Sequence, residues 1–284
     1  MGLSIFRMGF SMGPYEHRIS ATVGPFVQME GGNVGFLTCA HAFGVPCNIE
    51  SSLKKRVVQP ANGDFAPVHG AHAGDNDEAI CGYIDRIRID VELSHPVNID
   101  AALVRLEHGK KPLLGRFAWM NQFSLDEAGL HCGEFLKFDD GEILTKTRFQ
   151  EHILLTKGKF IKFGARSGVT STLSCLAPGL AVVKIGSDAE LLFDQGYPFP
   201  PIINGTRCFV MKGQYLIQSK SSTNFLIAGD SGSGVFHMDE NQKLRCIGIA
   251  IGFLPGSKEA VVTPIEDILK ALGLEEDALM KFIV

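Results

Sequence analysis

Short runs of apolar or alternating residues, each about the length of a β-strand, recur along the whole chain. Gly, Pro, Asn and Asp separate these runs and are typical of turns. We predict strands over the following segments: Ile19–Val23, Gly35–Cys39, Ala101–Leu106, Phe160–Phe163, Leu180–Ile185, Cys208–Met211, Gly234–Phe236 and Cys246–Ile251. Many short strands joined by turns favour an all-β chain built from barrels or sandwiches.

One helical pattern stands near the end of the sequence. Between Pro264 and Leu274 the apolar residues recur at helical spacing. Thr263 is placed as the N-cap, Pro264 as the first helical residue, and Gly273 as the stop signal. The sequence therefore predicts a C-terminal α-helix.

An acidic stretch that contains glycine, Asp126–Gly141, divides the chain into two halves of similar length. We expect an N-terminal unit over residues 1–130, a C-terminal unit over 131–262, and a helix with a tail over 263–284. A segment rich in Gly, Ala, His and Asp, Gln59–Asp77, is typical of a surface loop.

Composition narrows the class of protein. Hydrophobic residues make up 45% of the chain, charged residues 20%, and the mean hydropathy is +0.12, as in packed globular proteins. The net charge is −4 and the Lys/Arg clusters are short, which argues against nucleic-acid binding. Neither a signal peptide nor the run of about 18 apolar residues needed to span a membrane is found.

The cysteines and histidines do not form a metal-binding pattern. The seven cysteines are an odd number without paired spacing, which indicates a reducing compartment and an intracellular, cytoplasmic location. His69, His72 and Asp75 lack a fixed ligand spacing and are interpreted as part of a polar loop. We expect no metal ion and no cofactor.

The strongest chemical signal is the glycine-rich string Ala228–Phe236, which surrounds Ser231 and leads into a β-prone run. A serine hydroxyl attacks a carbonyl only when a base can reach it and N–H donors stabilise the oxyanion. Glycines beside the serine permit a turn in which successive N–H groups point to one place. The alternative interpretation is a simple hairpin turn.

Two further strings supply candidate partners for this serine. In Gly35–His41 an apolar strand ends in small residues and then presents His41. In Asn98–Leu106 an acid, Asp100, opens a strand, where a carboxylate can orient an imidazole. Alone, His41 would be an ordinary surface or core imidazole and Asp100 a turn residue at the end of a strand. Only their occurrence together with the Ser231 string indicates catalysis.

Together these strings resemble the trypsin-like or chymotrypsin-like serine peptidase family, whose His, Asp and Ser motifs occur in this order. The resemblance extends over nearly the whole chain, because Lys162–Ser171 is similar to the hairpin that opens the family's second barrel, and the C-terminal helix falls where the family has one. It implies two packed antiparallel β-barrels of the six-stranded type, followed by a C-terminal α-helix.

The resemblance also implies roles for individual residues. His41 is the general base, Asp100 orients its imidazole, and Ser231 is the nucleophile. The N–H groups of Gly229 and Ser231 form the oxyanion hole. Asp230 is structural; in secreted relatives the corresponding acid pairs with a newly cleaved N-terminus. The substrate is a polypeptide, and no cofactor is required.

The chain departs from the secreted members of the family. It lacks an Ile-Val-Gly-Gly activation sequence, has Cys39 two residues before the histidine, and has Ala42 where a cysteine normally follows. We therefore expect neither zymogen cleavage nor disulfide crosslinks.

Family logic also places the primary substrate pocket. Its predicted residues are Asn224, Phe225, Ala250, Ile251 and Gly252. No acid stands among them, so a basic side chain at the cleavage position is disfavoured. For Phe225 the alternative is packing in the core.

Two other functions stay open at this point. A catalytically silent module of the same fold would bind peptides or protein partners through its cleft. A protease domain that cleaves itself in cis would cut at a single internal site. A regulatory protein partner is also expected, since an unrestrained protease would damage a cell.

Overall fold

The structure is a computed structural model that describes residues 5–15, 19–43, 53–61, 79–90, 97–117, 158–174, 176–184, 202–203, 206–218, 224–238, 244–253, 259–275 and 278–279. The predicted boundary between residues 130 and 131 lies outside these ranges, as does most of the predicted surface loop Gln59–Asp77. Residues His69, His72 and Asp75 lie outside them too.

The described part of the chain is built mainly from β-strands. In chain order they are β1 (Ile5–Met8), β2 (Ser11–Pro14), β3 (Ala21–Thr22), β4 (Phe26–Gln28), β5 (Val34–Thr38), β6 (Arg56–Val58), β7 (Ile80–Ile89), β8 (Asp100–Leu106), β9 (Lys111–Phe117), β10 (Gly158–Gly164), β11 (Gly168–Ser174), β12 (Leu176–Lys184), β13 (Ile202–Ile203), β14 (Thr206–Gln218), β15 (Gly234–Met238), β16 (Leu244–Phe253) and β17 (Glu259–Pro264). Two 3-10 turns, Glu30–Gly32 and Ala40–Ala42, flank β5. The helix α1 covers Ile265–Ala271.

The first half of the chain forms a seven-stranded antiparallel sheet in the order β3-β2-β6-β7-β8-β5-β4. Its longest strand, β7, alternates apolar and charged residues toward its end, as expected for a strand with one face in the core. Strand β8 lies between β7 and β5, and four of its residues are completely buried: Ala101, Ala102, Leu103 and Val104. This position in the centre of the sheet fixes the register of both its neighbours.

The second half forms an eight-stranded sheet in the order β11-β10-β15-β16-β17-β14-β12, with β13 paired to β14. Every described pairing in it is antiparallel. Outside both sheets, β1 and β9 form a parallel pair.

One hydrophobic core runs through both sheets. It contains Phe36 and Leu103 from the first sheet together with Phe163 and Phe236 from the second, whose rings pack edge to face at 5.7 Å. A smaller core belongs to the second sheet alone and includes Phe160 and other buried residues. The shared core explains why the two sheets pack as one unit.

The prediction of an all-β chain with two antiparallel β-barrels and a C-terminal helix is confirmed, although the described sheets have seven and eight strands where barrels of the six-stranded type were predicted. Each of the eight predicted strands coincides with or overlaps an observed one. The predicted N-cap is wrong: Thr263 stays in β17, paired with Ile249, and its hydroxyl donates to Gln214 Oε1. Because that hydroxyl is occupied, it does not cap the helix, which begins one residue after Pro264.

The chain end returns to the first sheet after the helix. Nη1 of Arg86 in β7 donates to the carbonyl oxygens of Leu272 and Gly273 at 2.6 and 2.8 Å, so a cation caps the helix C-terminus. Further on, Leu279 forms a bridge with Val27 in β4. The last described residues therefore secure the first sheet. None of the helices in the described ranges is long and apolar enough to cross a membrane.

Candidate active site

The first sheet brings His41 and Asp100 together although they are 59 positions apart. Strand β5 runs antiparallel to β8, with Thr38 opposite Ala102. The 3-10 turn Ala40–Ala42 directly follows the end of β5, and Asp100 is the first residue of β8. The turn that carries the histidine consequently lies over the residue that opens the neighbouring strand.

Asp100 uses both carboxylate oxygens on this turn. Oδ1 accepts the backbone N–H groups of Ala40 and His41 at 2.8 and 2.9 Å. Oδ2 lies 2.5 Å from Nδ1 of His41. The carboxylate therefore fixes the backbone of the turn and the ring orientation, and it selects the tautomer in which Nδ1 carries the proton and Nε2 is the acceptor.

The His41 imidazole has a raised pKa. Burial opposes protonation of the ring, but the Asp100 carboxylate and, to a smaller extent, the Cys39 sulfur outweigh it and hold the pKa well above 6.5. The side chain is 28% exposed, and that of Asp100 is 8% exposed. The ring is therefore held from behind by a buried carboxylate and keeps access to the surface.

Ser231 lies in a tight loop that depends on two glycines. Gly229 and Gly232 both have φ near +92°, in the left-handed region that favours glycine. A Cβ at Gly232 would also come within 2.6 Å of the Thr22 carbonyl oxygen. The N–H of Gly232 donates to the Ala250 carbonyl at 2.8 Å, which anchors the loop to β16. A side chain at either glycine would distort the turn that presents the serine.

The loop around Ser231 docks onto the first sheet beside the histidine turn. The backbone N–H of Thr22 donates to the Ser231 carbonyl at 2.8 Å, and the Thr22 hydroxyl donates to the Gly229 carbonyl at 3.0 Å. The Thr38 hydroxyl donates to the Thr22 carbonyl at 2.9 Å, next to Cys39 and the histidine turn. The junction of the two sheets thus brings the three predicted catalytic residues into one region.

The Ser231 hydroxyl makes one hydrogen bond within the described residues, to the carbonyl oxygen of Ile251 at 3.2 Å. It makes none to His41 in that part of the chain. The candidate nucleophile therefore lacks the direct bond to the candidate base that proton transfer requires.

The backbone N–H groups of Gly229 and Ser231 donate to no acceptor among the residues that the structure describes. The intervening N–H of Asp230 is already used, because it donates to the Ile227 carbonyl at 3.1 Å. Two unused donors on either side of an occupied one provide the kind of pair that stabilises an oxyanion. Their assignment as the oxyanion hole stays a prediction.

A buried ion pair that the sequence reasoning did not predict supports this loop. Lys162 Nζ lies 2.7 Å from Asp230 Oδ2, and both side chains are completely buried. The Asp230 carboxylate also accepts the N–H groups of Arg166 and Ser167 at 2.9 and 3.0 Å and the Ser167 hydroxyl at 2.6 Å. Ile227 N–H adds another bond at 3.2 Å.

The carboxylate thereby joins the β10–β11 hairpin to the loop of the nucleophile. Its sequence signal is a lysine inside the apolar run Phe160–Phe163, since an unpaired charge would be costly at such a position. Asp230 therefore has a structural role, with Lys162 as its buried cation.

The predicted pocket residues divide into two groups. Phe225, Ala250 and Ile251 are buried, and Phe225 packs in the core of the second sheet, 5.9 Å below the Lys162 ammonium. Asn224 is exposed and Gly252 is partly exposed. The alternative of core packing therefore describes the Phe225 ring, while the assignment of the pocket as a whole stays a prediction.

The described ranges contain no group of three His, Cys, Asp or Glu residues that could hold a metal ion. Cys39, Cys81 and Cys246 are buried and free, and burial raises the pKa of Cys81 and Cys246 to about 12. The last two thiols are therefore inert packing groups.

The chain has the chymotrypsin-like double β-barrel fold of serine proteases. It is similar to the crystal structure of Thermobifida fusca protease A, with a TM-score of 0.54 at 12% identity, over 98% of this chain and 100% of that one. A Nocardiopsis protease matches with a TM-score of 0.50 at 12% identity, over 95% and 97% of the two chains. No protein-family profile matches the sequence, and comparison with curated protein sequences gives no significant match.

Proposed function

We propose that the chain is a serine endopeptidase that hydrolyses polypeptides through an acyl-enzyme. The observation that carries the proposal is the His41–Asp100 pair, with its Nδ1–Oδ2 distance of 2.5 Å, on the side of the sheet junction where the glycine loop that carries Ser231 docks. The fold shared with solved proteases is compatible with this function and does not by itself establish it.

In the proposed reaction, His41 Nε2 takes the proton of the Ser231 hydroxyl as its oxygen attacks the substrate carbonyl. The carbonyl oxygen becomes an oxyanion that accepts hydrogen bonds from the N–H groups of Gly229 and Ser231. The imidazolium, stabilised by Asp100, gives its proton to the leaving amine as the peptide bond breaks. Water then attacks the ester by the same route and releases the acid and the free serine.

The substrate preference follows from the residues near the site. Asn224 is uncharged, and Ala250, Ile251 and Gly252 are apolar or small. None of them offers a carboxylate to a lysine or arginine side chain, so we propose that cleavage after a basic residue is disfavoured. A library of peptides with one varied position at the cleavage site measures this preference directly.

A second function is favoured by one observation. The Ser231 hydroxyl donates to the Ile251 carbonyl instead of to His41. A protein that keeps this arrangement when peptide is bound would be a silent binding module of protease fold. Such a module would bind peptides with the same affinity in the wild type and in Ser231→Ala.

A fluorophosphonate probe distinguishes the two functions, because it reacts only with a serine activated by its base. The wild type is expected to label, Ser231→Ala to lose all labelling, and Ser11→Ala, which changes a serine on β2, to label like the wild type. A folded wild type that stays unlabelled would leave the binding module as the better account. Cleavage of the chain at a single internal site would indicate a protease that acts in cis.

A further inference from the structure

A buried polar cluster joins the two sheets at a distance from the candidate nucleophile. Asn98 lies two residues before Asp100, Gln214 lies in β14, and Thr263 lies in β17. All three are completely buried. Buried amides and hydroxyls are unfavourable unless they are hydrogen-bonded. The hydrogen bonds of this polar cluster therefore determine whether it stabilises or destabilises the fold.

The hydrogen bonds of the polar cluster cross from one sheet to the other. Asn98 exchanges two bonds with Lys212: its backbone N–H donates to the Lys212 carbonyl at 3.1 Å, and its Oδ1 accepts the Lys212 N–H at 2.8 Å. Gln214 Nε2 donates to the carbonyl oxygens of Asn98 and Lys212 at 2.8 and 2.9 Å. The segment that leads into β8 is therefore tied to β14 at several points.

Thr263 completes the polar cluster on the second sheet. Its hydroxyl donates to Gln214 Oε1 at 2.8 Å. Both hydrogens of the Gln214 amide group are used by carbonyl oxygens and its oxygen is used by a hydroxyl, so only one orientation of the amide satisfies every partner. A flipped amide would place Oε1 against two carbonyl oxygens. The side chain is consequently held in a single position.

The polar cluster connects to both parts of the site through short backbone segments. On one side, Asn98 is separated from Asp100 by a single residue. On the other side, Thr263 pairs in register with Ile249 in β16. The next residue in β16, Ala250, accepts the N–H of Gly232, and the one after it, Ile251, accepts the Ser231 hydroxyl. A continuous path of bonds thus links the carboxylate to the nucleophile loop.

We propose that Asn98, Gln214 and Thr263 are positioning residues that set the place of the His41–Asp100 pair relative to Ser231. The inference rests on the proposed function, since positioning has a meaning only for groups that react together. A buried polar network whose members are all hydrogen-bonded is rigid and favours one packing arrangement. Small displacements of reacting groups reduce rates strongly, by about a hundredfold for 1 Å.

The test removes a single hydroxyl. Thr263→Val keeps the shape of the side chain and deprives Gln214 of its donor, whereas Thr263→Ser retains a hydroxyl. Thr172→Val serves as the matched control, because Thr172 is also a buried threonine of the second sheet but lies in β11, away from the polar cluster. The readouts are the second-order rate constant of fluorophosphonate labelling, measured well below the melting temperature, and the melting temperature itself.

We expect Thr263→Val to label about ten- to a hundredfold more slowly than the wild type, with Thr263→Ser within about threefold of it and Thr172→Val unchanged. A Thr263→Val protein that labels at the wild-type rate would overturn the inference, even if its melting temperature is lower. Should Thr263→Val not fold, Gln214→Met, which has similar length and no amide, gives the same comparison.

A second readout separates this inference from the proposed function. The Nδ1 proton of His41, identified in the NMR spectrum by its loss in His41→Gln, reports the bond to Asp100 whether or not the protein is active. If the wild type does not label, the proposed function is wrong. This resonance then tests the positioning inference by itself. It should move in Thr263→Val and return in Thr263→Ser; an unchanged resonance in both would contradict positioning.

Discussion

Two buried carboxylates each hold a basic side chain in this molecule, and they differ in how completely they are enclosed. Asp100 binds His41, whose side chain is 28% exposed. Asp230 binds Lys162, and neither of these side chains is exposed at all. The first pair lies in the first sheet and faces the surface, while the second lies in the interior of the second sheet.

The difference in enclosure corresponds to a difference in use. A general base must gain and lose a proton, so the imidazole needs access to substrate and solvent. A structural ion pair must keep its charges, and Asp230 does so with bonds from Lys162, Ser167, Arg166 and Ile227. Under the proposed function, His41 in the first pair gains and loses a proton, whereas Lys162 and Asp230 keep their charges and support the loop of the nucleophile.

The two acid–base pairs also differ in how their contribution to stability depends on pH. Burial opposes the ionisation of Asp230, but Lys162 and Ser167 outweigh it and hold its pKa below the usual 3.8. Its stabilising contribution is then complete above that value and is lost only as pH falls through the lower pKa of the folded state. The raised pKa of His41 acts in the opposite sense, because its contribution is complete below 6.5 and is lost as pH rises through the folded value.

The largest expected effect is that of Asp100→Asn on the rate of fluorophosphonate labelling. Loss of the carboxylate removes the group that selects the tautomer, and the labelling rate is expected to fall by about 10⁴-fold. Asp90→Asn, which changes an acid paired with Arg88 on β7, should leave the rate unchanged. An Asp100→Asn protein that labels within tenfold of the wild type would show that Asp100 has no such role.

The pH profile sharpens the same prediction. The imidazole acts as a base only when neutral, so labelling of the wild type should increase with pH through a midpoint well above 6.5. In Asp100→Asn the midpoint should move to lower pH, since the charge that favours the imidazolium is gone. Residual labelling measured between pH 5 and pH 10 provides this midpoint.

Lys162→Met should have the next largest effect, this time on stability. It leaves Asp230 charged and buried without its cation, which costs about 3–5 kcal/mol of unfolding free energy. Lys159→Met, three residues earlier on the same strand and partly exposed, should change it by about 0.5 kcal/mol or less. Urea denaturation monitored by fluorescence measures both values, and equal losses in the two variants would contradict a special role for Lys162.

The smallest expected effect is that of Cys39→Ala on the pH dependence of labelling. Removing the sulfur takes away the weaker of the two groups that raise the pKa of His41, so the midpoint of labelling should fall by less than in Asp100→Asn. At high pH the rate should stay within about threefold of the wild type, less than 1 kcal/mol of barrier. Cys81→Ala, a buried thiol in β7, provides the control and should leave the midpoint where it is.

Much of this arrangement could be predicted from local sequence. The alternating runs gave strands, and the strings around His41, Asp100 and Ser231 pointed to residues that the fold brings to one junction. Strand β7 was not predicted, although the alternation in Arg86–Ile89 carried a signal for it.

Other features depend on contacts that sequence patterns do not encode. The role of Lys162 requires knowing that β10 runs past the nucleophile loop, and the N-cap error arose because Gln214, 49 positions before Thr263, takes the hydroxyl. The burial of Phe225 likewise depends on how β14 to β17 close over it. Patterns of local residues identify the reacting groups better than the groups that support them.

The return of the chain end to the first sheet has a consequence for how the protein is made. The first sheet receives the bonds from Arg86 to the end of the helix, and the bridge from Leu279 to Val27, only after the chain has been synthesised as far as Leu279. At about 5–20 residues per second, the roughly 170 residues that follow Leu106 take about 10–35 s to emerge from a ribosome. Until Ser231 is added, the nascent chain carries His41 and Asp100 without the candidate nucleophile, and the edge of its first sheet stays uncovered until Leu279 has been added.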